Sequence, residues 1–329
     1  IVPDLAFQDF PLSGPLQLAA QITGPINNPE AAMSIEIQPG SLGGTPFDNF
    51  HSLVLLKDHQ ILIEQMSINK GEYQLSAYGR IPLSAIEKAP DGRSESMDVS
   101  IRLDYADLGI LPVITPAVTQ ASGPTAGDLH ITGSLAAPEI TGKITITNGN
   151  IQFLNVRRPL ERIELEILFE GQTFVINKGE AHMGSGNVVL SGKGGLVGTS
   201  LSNYEARLVA DNLEFDSPMY RGPINMNLAL LSGVKQPLLQ GDINIERTTI
   251  RVPLSMLLES SDGFYLPTLG LDVQVHVGNR VRFYDPVFYD LNPRGEIRIR
   301  RTLQNPALDG FLEATSSRIW YLNSQFRII

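Results

Sequence analysis

The chain has 329 residues, a formal net charge of -10 and no cysteine. The charge argues against nucleic acid or an anionic membrane surface as the main partner, because both require clustered Lys and Arg. The missing thiols exclude disulfides and thiolate metal sites. No apolar run of about 18 residues occurs, so no membrane-spanning helix is predicted. With 30 Gly, 22 Pro and 42% hydrophobic residues, the composition favours an all-β chain rich in turns.

Alternating apolar and polar residues predict antiparallel strands that have one apolar and one polar face. The clearest runs are 16–22, 73–81, 97–105, 163–167 and 271–277. One or two short helices fit the pattern, within 82–88, 108–119 and 253–260, and none of these is long enough to cover a sheet. Both ends look cut, because the chain opens abruptly and stops within a predicted strand. We therefore expect a piece of a longer protein, with any membrane anchor outside it.

A repeated unit organises the chain, and its clearest copy lies within 127–153. The copy has the pattern Gly-x-Ile-x-Ile-x-x-x-x-Ile-x-Phe, and a proline stands four residues before its first position. Four copies start at Met33, Gly142, Gly241 and Gly310, and their prolines are Pro29, Pro138, Pro237 and Pro306. We predict that a turn at Asn148-Gly149 returns the chain and puts the later apolar residues on the same face. The copies divide one continuous repetitive chain into modules of roughly 14–120, 121–203, 204–294 and an incomplete 295–329.

A sheet with one apolar face must cover that face. Helices to do so are lacking in the sequence, which leaves two arrangements. One is a closed sandwich of two sheets, and the other is a single sheet folded along its length into a trough that holds a ligand. The sequence pattern does not separate them.

No catalytic constellation is found, and we predict neither enzyme activity nor a cofactor. The five histidines lack metal-ligand spacing. Gly184-Ser-Gly186 and Gly192-Lys-Gly-Gly195 do not have the spacing of phosphate-binding loops and are interpreted as strand-joining turns. One basic cluster stands out, formed by Arg280, Arg282, Arg294, Arg298, Arg300 and Arg301. It is interpreted as the polar face of strands, with lipid headgroups or an acidic partner as the alternative.

Two phrases resemble a known family. Gly127-Asp-Leu-His-Ile-Thr-Gly-Ser-Leu-Ala-Ala-Pro-Glu-Ile-Thr-Gly-Lys-Ile and Leu303-Gln-Asn-Pro-Ala-Leu-Asp-Gly-Phe-Leu-Glu-Ala are similar to the C-terminal half of the TamB family, in the AsmA-like group of bridge-like lipid-transfer proteins. The resemblance covers most of the chain, although Met33 replaces the first glycine of the repeat.

The resemblance implies a long curved taco-shaped β-sheet trough, all-β with an apolar interior and built from repeated short antiparallel strands. It implies a periplasmic location, an inner-membrane anchor through a missing N-terminal helix, and an Omp85-type outer-membrane partner (TamA-like or BamA-like) near the missing C-terminus. The expected ligand is phospholipid carried between the two membranes. The residues expected to line the groove are Ile35, Ile37, Leu75, Val99, Ile101, Leu129, Ile131, Ile144, Ile146, Ile151, Phe153, Leu165, Ile167, Leu228, Ile243, Ile245, Ile250, Val273, Val275, Ile297, Ile299, Leu312 and Ile319.

Two other functions fit the same pattern. A chaperone could add strands of outer-membrane proteins to an exposed sheet edge. An inert adhesin-like rod would bind no lipid at all.

Overall fold

The computed structural model describes residues 12–25, 29–42, 45–71, 73–86, 95–115, 117–198, 200–233, 236–251, 269–314, 316–321 and 324–328. Within these residues the chain is almost entirely β: 23 strands belong to one mostly antiparallel sheet, and three short strands form a second. The predicted all-β class and its repeated antiparallel strands are confirmed.

The first half of the chain holds twelve of the strands and the short helices. Strands β1 to β12 are Leu12–Ser13, Leu16–Thr23, Glu30–Ile37, Gly40–Leu42, Thr45–Phe47, Asn49–Lys57, Gln60–Lys70, Tyr73–Pro82, Met97–Asp107, Val118–Ser122, Pro124–Ser134 and Ala137–Phe153. Helix α1 is Leu83–Ile86, a 3-10 helix is Leu108–Ile110, and α2 is Leu111–Ile114. These helices fall in two of the three predicted segments; the third, 253–260, lies outside the described residues.

The second half contributes strands alone to the described part of the chain. Strands β13 to β26 are Leu160–Gly171, Thr173–Met183, Gly186–Val197, Ser200–Asp216, Tyr220–Leu231, Leu238–Ile245, Thr249–Ile250, Gly270–Val277, Arg282–Asp285, Tyr289–Leu291, Pro293–Thr302, Pro306–Ala314, Ser317–Tyr321 and Ser324–Ile328. Gly184 and Ser185 join β14 to β15 as predicted. The turn predicted at Gly192 to Gly195 is wrong, because β15 continues through it.

The chain divides into two compact units. Unit 1 comprises Ile1–Ile151, Ile163–Lys178 and Gly194–Ser202, and unit 2 comprises Gln152–Arg162, Gly179–Lys193 and Asn203–Ile329. In unit 1, antiparallel pairing runs in the order β2, β3, β6, β7, β8, β9, β11, β12. In unit 2 the order is β16, β17, β18, β20, β23, β24, and the β18–β20 pair is parallel.

The repeat carries a β-bulge where a turn was predicted. Strand β12 continues through Asn148, which has φ +51°, so the predicted return at Asn148-Gly149 is wrong. Asparagine tolerates the left-handed conformation, and a single such residue inserts a bulge without ending the strand. Two further copies have a positive φ at the same offset, at Arg247 (+51°) and Ser316 (+52°). The next residue in each of the three copies, Gly149, Thr248 and Ser317, is buried.

The bulge keeps the apolar residues on one side of the sheet. Ile146 and Ile151 are five residues apart, so strict alternation would turn them to opposite faces. A Cβ added to Gly149 would meet side-chain atoms of Leu108, Ile146 and Ile163, which places Gly149 on the same face as Ile146. Alternation from Gly149 then returns Ile151 to that face. The predicted shared face is therefore retained, by a bulge and not by a hairpin.

Buried cores are small and lie near strand ends in unit 2. One is formed by Met183, Ala210 and Leu213, and another by Ile245, Val277 and Val281. Thr248, 1% exposed, donates its hydroxyl to the carbonyl oxygens of Glu246 and Pro223 at 2.8 and 3.2 Å. These bonds satisfy the buried polar group where the bulge interrupts the ladder.

The glycines at the start of the repeat provide a test of this backbone. Gly142 has φ +128°, and a Cβ there would clash with the carbonyl oxygen of Asp128. We expect Gly142→Ala to lower the free energy of unfolding by about 3 kcal/mol or more, because strain and a backbone clash combine. The measurement is urea denaturation followed by circular dichroism.

Gly171 is the matched control for that substitution. It has φ +65° and open space around a new Cβ, so Gly171→Ala carries the backbone strain alone and should cost about 1 kcal/mol. Equal losses for the two variants would contradict the role given to the close approach of the strands at Gly142.

Candidate functional site

The candidate site is the apolar face of the sheet, first in unit 1. Residues opposite each other in neighbouring strands point to the same side of a sheet, so the register defines rows that cross the strands. One row contains Leu18, Ile35, Ser52, Met66, Ala77, Ile101, Leu129 and Gly142. A parallel row contains Leu16, Ile37, Phe50, Ile68, Leu75, Leu103, Gly127 and Ile144. Each row crosses eight strands and spans about 34 Å at ordinary strand spacing.

Unit 2 has a face of the same kind. One row contains Leu228, Gly241, Val273, Ile299 and Leu308, and the next contains Met226, Ile243, Val275, Ile297 and Gly310. A third row adds Ile224, Ile245, Val277, Gly295 and Leu312. The parallel step between β18 and β20 leaves the rows intact, because Ile243 opposes Val275 and Ile245 opposes Val277.

Burial of these side chains distinguishes the face from an ordinary core. Of the 23 residues predicted to line the groove, four are buried (Ile37, Val99, Ile245 and Val273), Ile319 is exposed, and the other eighteen are half-buried. Side chains between two packed sheets are normally enclosed on all sides. In each unit the rows thus bring aliphatic residues together on a surface that retains access to solvent.

Small elements cover one end of the face in unit 1. Phe47 of β5 is 5% exposed and packs its ring against Gly40 of β4, and Leu108 of the 3-10 helix is 7% exposed. Between them is a cavity with a volume of about 250 Å³. Its walls are Pro46, Phe47, Ile68, Lys70, Gln74, Leu75, Leu103, Ala106, Asp107, Leu108, Gly109, Thr125 and Ile144.

The opposite face carries the charges, and neighbouring strands pair them. In unit 2, Arg298 donates through Nε and Nη2 to the two carboxylate oxygens of Asp272 at 2.7 and 2.9 Å. These bonds hold the pKa of Asp272 below its usual range. His276 lies between Glu296, with Nδ1 3.3 Å from Oε1, and Asp242, with Nε2 3.8 Å from Oδ1. The His276 ring is partly exposed and has a carboxylate on each side.

The predicted basic cluster is largely neutralised by such pairs. Arg298 bonds to Asp272, Arg300 to Asp309 at 2.8 Å, and Arg282 to Asp290 at 2.6 and 3.0 Å. Arg280, Arg294 and Arg301 are exposed. Three of the six arginines are therefore engaged in ion pairs, which favours the interpretation as the polar face of strands.

A second basic cluster, in unit 2, was missed by the sequence reasoning. It lines a polar cleft of 420 Å³ with Arg158, Arg221 and Arg247, together with Glu214 and Asp216. Arg158 pairs with Glu214 at 3.1 Å, and Arg221 lies 3.8 Å from Asp216. The three arginines are 63 and 26 residues apart in sequence and lie on the β12–β13 connection, on β17 and just after β18, so only the fold brings them together.

Neither metal chemistry nor a membrane helix is found within the described part of the chain. No group of three or more His, Asp or Glu there has the arrangement of a metal site. Among those same residues, no helix has the length and apolar character needed to cross a membrane.

Comparison with family models, with curated proteins and with solved structures gives no match. The apolar face and its register are therefore the observations on which a function can be argued.

The pair formed by Arg282 and Asp290 makes stability depend on pH. The Arg282 hydrogen bonds lower the pKa of Asp290 in the folded chain, so the ionised form stabilises the fold above the unfolded pKa of about 3.9. This contribution is lost as the pH falls through the lowered folded pKa. We expect Asp290→Asn to cost about 1 kcal/mol at pH 7, and the difference from wild type to vanish in that acidic range. Urea denaturation at several pH values measures it.

Asp309→Asn is the control. Asp309 forms an ion pair with Arg300 on the surface, and both side chains are at least half exposed. Such pairs contribute little. A loss for Asp309→Asn as large as that for Asp290→Asn would contradict the importance of the bidentate geometry.

Proposed function

We propose that this chain binds the acyl chains of phospholipids along its apolar face and passes them along that face as a segment of a bridge between two membranes. The observation that carries the proposal is the set of uncharged rows of mainly aliphatic side chains, many of them half-buried, which run across eight strands in unit 1 and across five strands in unit 2. An apolar surface of this extent on a protein usually marks a binding site.

The energetics suit a conduit better than a tight receptor. Each methylene removed from water contributes about 0.8 kcal/mol, so two acyl chains would be held firmly by area alone. The rows repeat the same chemistry from strand to strand, and a lipid that moves by one strand spacing exchanges one set of aliphatic contacts for another. The lipid headgroups would remain at the solvent-exposed edge of the sheet. The protein then needs no specific pocket along most of the path.

The resemblance to the TamB family supplies the cellular setting of the proposal. It suggests a trough in the periplasm, anchored in the inner membrane by a segment outside this chain and meeting an Omp85-type protein at the outer membrane. Transport of phospholipid would then support outer-membrane biogenesis. No enzymatic step is part of this function.

A charge placed in the floor tests the proposal. Ile146 is half-buried on the apolar face, so Ile146→Asp should leave the sheet folded and reduce bound phospholipid by more than about tenfold, because an unpaired carboxylate in an apolar contact is costly. Lipid is measured by native mass spectrometry and by organic extraction of the purified chain. Ile245 is unsuitable for this test, since it is 4% exposed within a core cluster and a charge there would unfold the sheet.

Thr145→Asp is the matched control, on the opposite face of the same strand. Its register partner is Ala126, so the new carboxylate meets no charge directly across the strand pair. Circular dichroism establishes that both variants are folded. Retention of normal lipid by a folded Ile146→Asp variant would overturn the conduit.

A second candidate function rests on β2. All eight residues of this strand are exposed, with Leu18 and Ile22 at 58% and 76%, which is typical of an edge strand. A chaperone that adds client strands would use this edge. Photo-crosslinkers at Gln17 or Gln21 would then capture client peptide, whereas crosslinkers on the apolar face would capture lipid if the conduit is right.

A further inference from the structure

The apolar face of unit 1 contains one charged residue. Ile68 and Lys70 alternate with Asn69 along β7, and Ile68 lies in the row of Leu75 and Leu103, so Lys70 occupies an apolar-face position at the end of its strand. The other register positions of that face, in the eight paired strands that the structure describes, are aliphatic, aromatic or small and uncharged. Lys70 is therefore a half-buried charge at the end of a face that is otherwise uncharged.

Lys70 also lines the 250 Å³ cavity, whose apolar walls include Phe47, Leu103 and Leu108. Here the face is not an open floor but a pocket, since Phe47 and Leu108 are themselves buried. Pockets for whole small molecules are usually about 300–1,000 Å³, so this one holds only part of a lipid. It combines a place for a few methylenes with one cation beside it.

Two carboxylates of this part of unit 1 accept hydrogen bonds from backbone N–H groups. Asp107, which shares the cavity wall, accepts the Gly109 N–H at 2.7 Å and caps the 3-10 helix. Asp48 accepts the Gly71 N–H at 2.6 Å. Among the residues that the structure describes, none places a carboxylate oxygen within 4.0 Å of the Lys70 amine. Within the described residues, the ammonium group therefore has no carboxylate partner that would compete with an external anion.

We propose that this cavity seats the glycerol end of a phospholipid, with the phosphate at Lys70 and the first methylenes of an acyl chain between Phe47 and Leu108. The remainder of the chain would lie along the row that leads from Leu75 to Ile144. This site rests on the proposed lipid conduit and adds a fixed position to it: one place where the headgroup, and not only the hydrocarbon, is recognised. The charge of phosphate complements Lys70, and a charge-assisted hydrogen bond is stronger than a neutral one.

Two lipids that differ only in the phosphate test the site. The purified chain is incubated in dodecyl maltoside micelles with phosphatidic acid or with diacylglycerol of identical acyl chains, and bound lipid is counted by native mass spectrometry. We expect wild type to prefer phosphatidic acid by about tenfold, the lower range for a hydrogen bond to a charged group. Lys70→Met should abolish that preference while diacylglycerol binding is unchanged, and Lys70→Arg should retain it.

Lys57→Met is the control, because Lys57 ends β6 on the polar face and is exposed. It should keep the preference. A Lys70→Met variant that still prefers phosphatidic acid, or that loses both lipids equally, overturns the headgroup site. Equal binding of the two lipids by wild type also overturns it and leaves the conduit standing, whereas no binding of either lipid removes the conduit and the site together.

Discussion

The register of the backbone ladder is the constraint on which the rest of this structure depends. Side chains alternate between the two faces of a strand, so a slip of one residue would move a whole set of aliphatic residues to the polar side. The chain holds the register across long strands and corrects it where the sequence inserts an extra residue, as at Asn148 and Arg247. The continuous apolar face is therefore a property of the backbone as much as of the residues placed on it.

The charged face complements this arrangement. Because most aliphatic side chains are only half-buried, the small cores at strand ends contribute less to stability than they would in a sandwich. Hydrogen bonds of the ladder and diagonal ion pairs such as Arg298 with Asp272 hold neighbouring strands together from the other side. Because the ion pairs lie on one face of the sheet, the other face is almost free of polar groups. An acyl chain on that face would meet mainly aliphatic side chains.

Much of the fold follows from the sequence because period-2 alternation is local. Runs such as 97–105 and 271–277 were predicted as strands, and strands occur there, as do short helices within 82–88 and 108–119. The error at Asn148-Gly149 has a physical cause: the same dipeptide suits a tight hairpin and a bulge, and the choice depends on packing against Leu108 and Ile163. Contacts distant in sequence were not predictable. Neither the pairing of Arg298 with Asp272 nor the cavity beside Lys70 has a local signal, although the position of Lys70 two residues after Ile68 was a sign that its phase is apolar.

The parallel pair of β18 and β20 has a consequence for how the chain folds. Hairpin neighbours such as Leu231 and Leu238 meet after a few residues, whereas Leu238 and Gly270 in the parallel pair are separated by 32 positions. Closing the longer loop costs more chain entropy before any contact compensates for it. Hairpins on either side of this junction should form early and dock late, so the junction sets the pace of assembly. In a sheet of this kind, adding a hairpin costs little chain entropy, whereas pairing two parallel strands costs more and is slower.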